Sequence, residues 1–115
     1  LEFGICLLNI KHLILLGHSQ CGGINALLNS QNLLQNDFIT KWVSSIKVAG
    51  SKVSNPDEYA KLGLTRSYKN CLTFPWIKEK VDTQELTIHR WFFDIKTGQI
   101  FTYSENYDVY QALDV

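Results

Sequence analysis

His12-Leu13-Ile14-Leu15-Leu16-Gly17-His18-Ser19-Gln20-Cys21-Gly22-Gly23-Ile24 is the stretch from which the fold is read. Residues 12–16 form a continuous apolar run, as expected of a strand covered on both faces of a parallel sheet. Gly17 to Gly23 reads as a tight loop, and Ile24 to Leu28 as the first turns of a helix. A strand, a loop and a helix in that order put the loop at the carboxyl end of a parallel strand. Open α/β sheets place their ligands there.

Working outward, Leu1, Ile5 and Leu8 sit at i, i+4 and i+7, one face of a 3.6-residue period. No capping residue precedes them, so the helix is expected to begin upstream of Leu1. Asn29 to Asn36 is polar and reads as a loop or a frayed helix end. Phe38, Trp42, Val43 and Ile46 have helical spacing, and Gly50 to Asn55 is a small-residue break. A helix from about Pro56 to Leu72 follows, capped by Asn55, with Gly63 weakening its middle. Pro75 opens another, with Thr73 or Phe74 near its cap. Leu86 to Phe93 reads as a strand, Lys96-Thr97-Gly98 as a turn needing positive φ at the glycine, and Gln99 to Tyr103 as the return strand. Tyr107 to Leu113 reads as a short terminal helix. The order α-β-α-α-α-β-β-α predicts an α/β fold: a mostly parallel sheet flanked by helices, with a C-terminal antiparallel hairpin strand.

The 115 residues are enough for one domain, burying roughly 65% of the unfolded surface. Residues 1–115 are therefore read as a single, partial domain. With 45% apolar and 19% charged residues the composition is globular. Eleven Lys and Arg balance eleven Asp and Glu, which argues against a nucleic-acid partner bound through a basic face. No apolar run approaches the ~18 residues of a membrane span, and no membrane partner is expected. Three cysteines at irregular spacing fit a reducing compartment, the cytoplasm, better than a disulfide framework. The chain contains no Met, so Leu1 is not an initiator and a longer chain is expected.

The loop carries the chemistry. His18 and Cys21 form an H-x-x-C pair, and imidazole and thiolate are both good zinc ligands. Cys21 precedes a helix start, where the dipole and unpaired amides favour the thiolate. Gly22 and Gly23 let the backbone approach a small anion and offer it N–H groups. Spacing alone leaves three readings open: a metal-anchored anion site, a core cysteine beside a turn histidine, and a cysteine nucleophile with His18 as base.

The run Leu15 to Ile24 resembles the second metal motif of β-class carbonic anhydrases. Leu1 to Cys6 and Lys11-His12 are similar to that family's lead-in helix and strand. Asn70 to Ile77, then Leu86 to Ile95 with Thr97-Gly98, resemble its late helix and final hairpin. The resemblance implies zinc held by two cysteines and one histidine, with His18 and Cys21 as two of these ligands. It also implies an earlier C-x-D-x-R motif bearing the other cysteine and a catalytic Asp–Arg pair. Those residues are not among the 115, so the catalytic residues are unknown here. Cys6 and Cys71 are read as buried small apolar residues rather than substitutes. Arg90 departs from the family's glycine before Trp91; an arginine there needs room or a carboxylate partner.

His89 is read as structural, and His12 as lying at the end or surface of its strand. Trp42, Trp76, Trp91, Phe92 and Phe93 are read as core, and Lys41, Lys47 and Lys52 as a solvated face. Ser19 and Gln20 either hydrogen-bond a ligand's water or finish the turn. The expected function is zinc-dependent hydration of carbon dioxide to bicarbonate, by a homodimer or higher homo-oligomer. The alternatives are a non-catalytic remnant of the family, and a carbon disulfide or carbonyl sulfide hydrolase on the same fold.

Overall fold

The computed structural model describes residues 1–29 and 53–113. The expected helix through Phe38 to Ile46, most of the 29–36 loop and the three scattered lysines lie outside the described residues. The described strands are β1 (His12–His18), β2 (Thr87–Asp94), β3 (Gln99–Ser104) and β4 (Val109–Ala112). They form one sheet in the order β1-β2-β3-β4, with β1 parallel to β2 and the next two pairings antiparallel. The described helices are α1 (Gly22–Leu28), α2 (Pro56–Cys71) and α3 (Pro75–Asp82).

Local chemistry sets most of these boundaries. The Asn55 side chain accepts from the N–H groups of Asp57 and Glu58 at 2.9 and 3.2 Å, and Pro56 follows in the first turn. Those are two of the donors a helix start leaves unpaired. Phe74 is the cap of α3, ahead of Pro75; the Thr73 hydroxyl instead donates to the Asn70 carbonyl at 2.6 Å. Gly98 has φ +71°, the left-handed turn conformation expected of it.

The sequence misled in three places. The first eight residues form only a π-helical turn, Phe3–Leu7, in which Ile5 is buried while Leu1 and Leu8 are exposed. Lys80 holds that turn by donating to the Ile5 carbonyl and to Asn9 Oδ1, each at 2.7 Å. Secondly, β1 is covered on one face. Leu13, Leu15 and Gly17 are partly buried, whereas His12, Ile14, Leu16 and His18 are exposed. Apolar residues stand on both faces, so the sequence shows no alternation. Thirdly, the C-terminal segment is strand β4, not a helix. Its Tyr103–Tyr110 pairing places two aromatic rings edge-on, with centroids 5.4 Å apart. Asp108, at φ 53°, ends the turn before β4, and its carboxylate accepts a hydrogen bond from the Tyr103 hydroxyl.

Helix α2 packs on the inner face of the sheet. Ile24, Tyr59, Ala60, Leu64 and Phe92 form one buried cluster, and Ile5, Cys71, Ile77 and Leu86 a second. Gly17 permits the close approach, since a Cβ there would lie 3.2 Å from Leu64 Cδ1. Phe92 is core, as expected; Trp76 packs at the rim of the second cluster, and Trp91 and Phe93 are only half-buried.

Arg90 finds both room and a carboxylate. It is buried on the α2 side, with its guanidinium carbon 3.7 Å from the Tyr103 ring centroid and 4.4 Å from that of Tyr68. Nη1 donates to Thr65 Oγ1 at 3.4 Å, and Nη2 lies 3.8 Å from Glu105. Glu105 is largely exposed, so that ion pair contributes little; the two ring contacts are the larger part. Arg90→Ala is expected to lower stability by about 2 kcal/mol through loss of two desolvated cation–π contacts. Arg90→Lys should recover only part of this, because an ammonium cannot stack as a planar group does. Denaturant unfolding checks both, and an unchanged midpoint for Arg90→Ala would refute the assignment.

Candidate active site

The strand runs two residues further than the sequence suggests, so His18 is the last residue of β1 rather than part of the loop. The turn itself is Ser19-Gln20, and Cys21 is the cap residue of α1. The Ser19 N–H donates to the Phe93 carbonyl at 2.9 Å, continuing the parallel ladder. Ser19 Oγ accepts from the Ile95 N–H at 2.9 Å and faces Asp94 Oδ1 at 3.5 Å. Gln20 adopts φ 52°, and its N–H donates to Asp57 Oδ1 at 3.0 Å in the first turn of α2. The turn is thereby tied to both β2 and α2. Of the two roles open to Ser19, the structure shows the finishing of the turn.

His18 Nδ1 lies 2.8 Å from the Ser19 carbonyl oxygen. A carbonyl only accepts, so Nδ1 carries the proton, and in the neutral ring Nε2 keeps its lone pair. This is the arrangement by which a metal-ligating histidine is oriented and its tautomer chosen. The Cys21 side chain makes no capping hydrogen bond to α1. His18 and Cys21 line the same cavity of about 260 Å³, with Leu16, Ile24 and Leu64 as apolar wall and Arg66 and Asn70 on the α2 side. Gly22 opens α1, and a Cβ built there would meet nothing within 4 Å. Gly23 follows inside the first turn.

The other chemistry-bearing residues lie elsewhere. Cys71 is buried in the second core cluster, with Cys6 packed against it, and burial pushes the Cys71 thiol up. Asp94 and Asp57, which anchor the turn, were not singled out from the sequence. Asp94 stands in the Phe93-Asp94-Ile95 run and Asp57 two residues after Asn55, but neither spacing reveals a contact so distant along the chain. Among the described residues no group of three or more His, Cys, Asp or Glu is placed to hold a metal ion. By donor chemistry His18 and Cys21 suit zinc, but they make two ligands where catalytic sites use three from protein.

Among the described residues, these features define an α/β protein with its candidate site at the carboxyl end of a parallel strand. The family model for carbonic anhydrase matches residues 1–100, and the chain belongs to that family, in its β class. It is 30% identical over 107 residues to β carbonic anhydrase 6, mitochondrial, of Arabidopsis thaliana, covering 83% of this chain and 37% of that protein. It is 24% identical over 118 residues to a carbonic anhydrase of Helicobacter pylori, covering 90% of this chain and 53% of that one. Among solved structures, the β-carbonic anhydrase CcaA superposes with a TM-score of 0.81 at 21% identity, over 99% of this chain and 56% of the other. A tetrameric β-carbonic anhydrase of Sordaria macrospora gives 0.70 at 24%, over 88% of this chain and 56% of that chain. The chain thus spans about half, or less, of the length of these relatives. The α/β fold expected from the sequence is the fold of these neighbours.

Ser19→Ala should cost about 0.5–1.5 kcal/mol, the net contribution of the part-buried hydrogen bond from the Ile95 N–H to Oγ. Thermal unfolding checks the loss. Wild-type stability in the alanine variant would show that the Ser19 contact contributes nothing.

Proposed function

We propose that the complete protein catalyses the reversible hydration of carbon dioxide to bicarbonate at a zinc ion held in part by His18 and Cys21. The observation that supports this reading is their position on one cavity at the end of β1, within a chain that belongs to the carbonic anhydrase family. When bound, zinc supplies Lewis acidity that makes hydroxide available near neutral pH. His18 offers Nε2 while its Nδ1–H is held by the Ser19 carbonyl. Cys21 offers its sulfur from the cap position of α1. Leu16, Ile24 and Leu64 give neutral carbon dioxide an apolar wall. The amides of Gly22 and Gly23 are assigned to the anionic product. The third protein ligand and the Asp–Arg pair belong to a C-x-D-x-R motif elsewhere in the complete protein.

The working unit is a homodimer or higher oligomer; the Sordaria macrospora relatives are described as tetrameric. Among the described residues no helix is long and apolar enough to cross a membrane. The compartment proposed is the cytoplasm, although two plant relatives are named mitochondrial and chloroplastic.

Metal analysis and stopped-flow hydration assays, run on the complete protein and on the 115-residue chain, test the proposal. The complete protein should hold about one zinc per chain through mild chelation and hydrate carbon dioxide. The 115-residue chain should do little of either. A 115-residue chain as active as full-length relatives would overturn the ligand count. A complete protein that consumes carbon disulfide or carbonyl sulfide but not carbon dioxide would overturn the substrate.

A further inference from the structure

On the sheet face away from α2, two histidines from distant parts of the chain meet. The parallel register sets His12 beside Thr87 and Ile14 beside His89, making the imidazoles diagonal neighbours. His12 Nδ1 and His89 Nε2 are 3.0 Å apart, with ring centroids 5.2 Å apart and planes inclined at 33°. Trp91 stands next on the same face, its ring 6.1 Å from that of His89. His12 is exposed, so the pair is open to solvent. It lies about 20 Å from His18, at ~3.3 Å per residue along β1.

At 3.0 Å one nitrogen donates to the other, so at least one ring holds a lone pair directed at its neighbour. Burial, and then His12, push the pKa of His89 down, keeping it in the neutral form that ligates metals. Two nitrogens bound at about 2.0–2.1 Å lie about 2.9 Å apart at a right angle and about 3.4 Å apart at a tetrahedral one. The observed separation is close to that of the right-angled bite, and both rings would turn to aim their lone pairs at the ion instead of at each other. Imidazole nitrogen suits Ni²⁺ and Cu²⁺, whose tetragonal geometries present such an angle.

We infer that His12 and His89 form a second metal site, separate from the His18–Cys21 cavity, which chelates a divalent transition ion of tetragonal preference such as Ni²⁺ or Cu²⁺. The ion replaces the shared hydrogen bond. The proton between the rings moves to the outer nitrogen of the ring that carried it, so no net proton or electron is released. Water completes the coordination. The site is independent of the carbon dioxide reading.

Ni²⁺ is the probe, because it does not oxidise the three thiols. It is titrated into the protein carrying His18→Ala and Cys21→Ser, which removes the competing donors. Tryptophan fluorescence and calorimetry follow the binding. The expected result is saturable quenching that Trp91→Phe abolishes. His12→Gln and His89→Gln should each weaken binding at least ~10-fold, because chelation by two placed ligands exceeds either alone. The double variant should lose little more than each single one. Undiminished, parental Ni²⁺ affinity in either glutamine variant, or no saturation by about 1 mM, where affinity is too weak for a chelate, would overturn the site. Should a variant fail to fold, Ni²⁺ line broadening of imidazole resonances in the parent decides. Broadening at His12 and His89 supports the site, and its absence there overturns it.

Discussion

Cys21→Ser in the complete protein abolishes tight zinc binding and, with it, carbon dioxide hydration. The thiolate is a strong ligand to zinc, and a serine hydroxyl is not ionised near neutral pH. Structural zinc sites are worth about 10–16 kcal/mol over four ligands, so losing one removes roughly 3–4 kcal/mol, or ~10²–10³-fold in affinity. The substitution is nearly isosteric, and Cys21 makes no side-chain capping bond that its loss would disturb. Stability of the metal-free protein should therefore change little while zinc content collapses. Zinc analysis after dialysis against a mild chelator, together with the hydration rate, checks this. Retention of both metal and activity would show that Cys21 is not a ligand.

The second large effect concerns association of the 115-residue chain. Among the described residues β1 pairs with β2 alone, which leaves its other edge unpaired. An edge strand presents unpaired N–H and C=O groups, and Lys or Pro would discourage pairing with another chain. Residues 13–16 contain neither, and Ile14 and Leu16 are 45% and 62% exposed. At about 100 µM, within the range where exposed edges associate, the chain should dimerise, exchange elements or aggregate. Light scattering reads this directly. Ile14→Lys places a charge on the outward face of the strand and should shift the population toward monomer. A monodisperse monomer of the unaltered chain at that concentration would refute the argument.

Parts of the candidate site were legible because they are local. H-x-x-C followed by two glycines needs only six residues to be seen. Its strand and helix flanks follow from the same thirteen-residue stretch. The role of Ser19 was not legible, since its partners Asp94 and Ile95 are 75 and 76 residues away. Nor did spacing show that His18 would end β1, which its pairing with Phe93 decides.

What the sequence by itself determined is whatever short-range chemistry controls. Asn55 and Pro56 start a helix, Pro75 starts another, and Gly98 turns a hairpin, each because backbone geometry or an orphan donor requires that residue type. Only the tertiary structure decided the open face of β1, where both sets of side chains are apolar and carry no period. It alone made residues 109–112 a strand, since four residues hold too little pattern to outweigh pairing with β3. It placed Arg90 between Tyr68 and Tyr103, and His12 against His89, 77 residues apart. Such contacts depend on sheet register and on how α2 crosses the strands, and neither is encoded within any one segment.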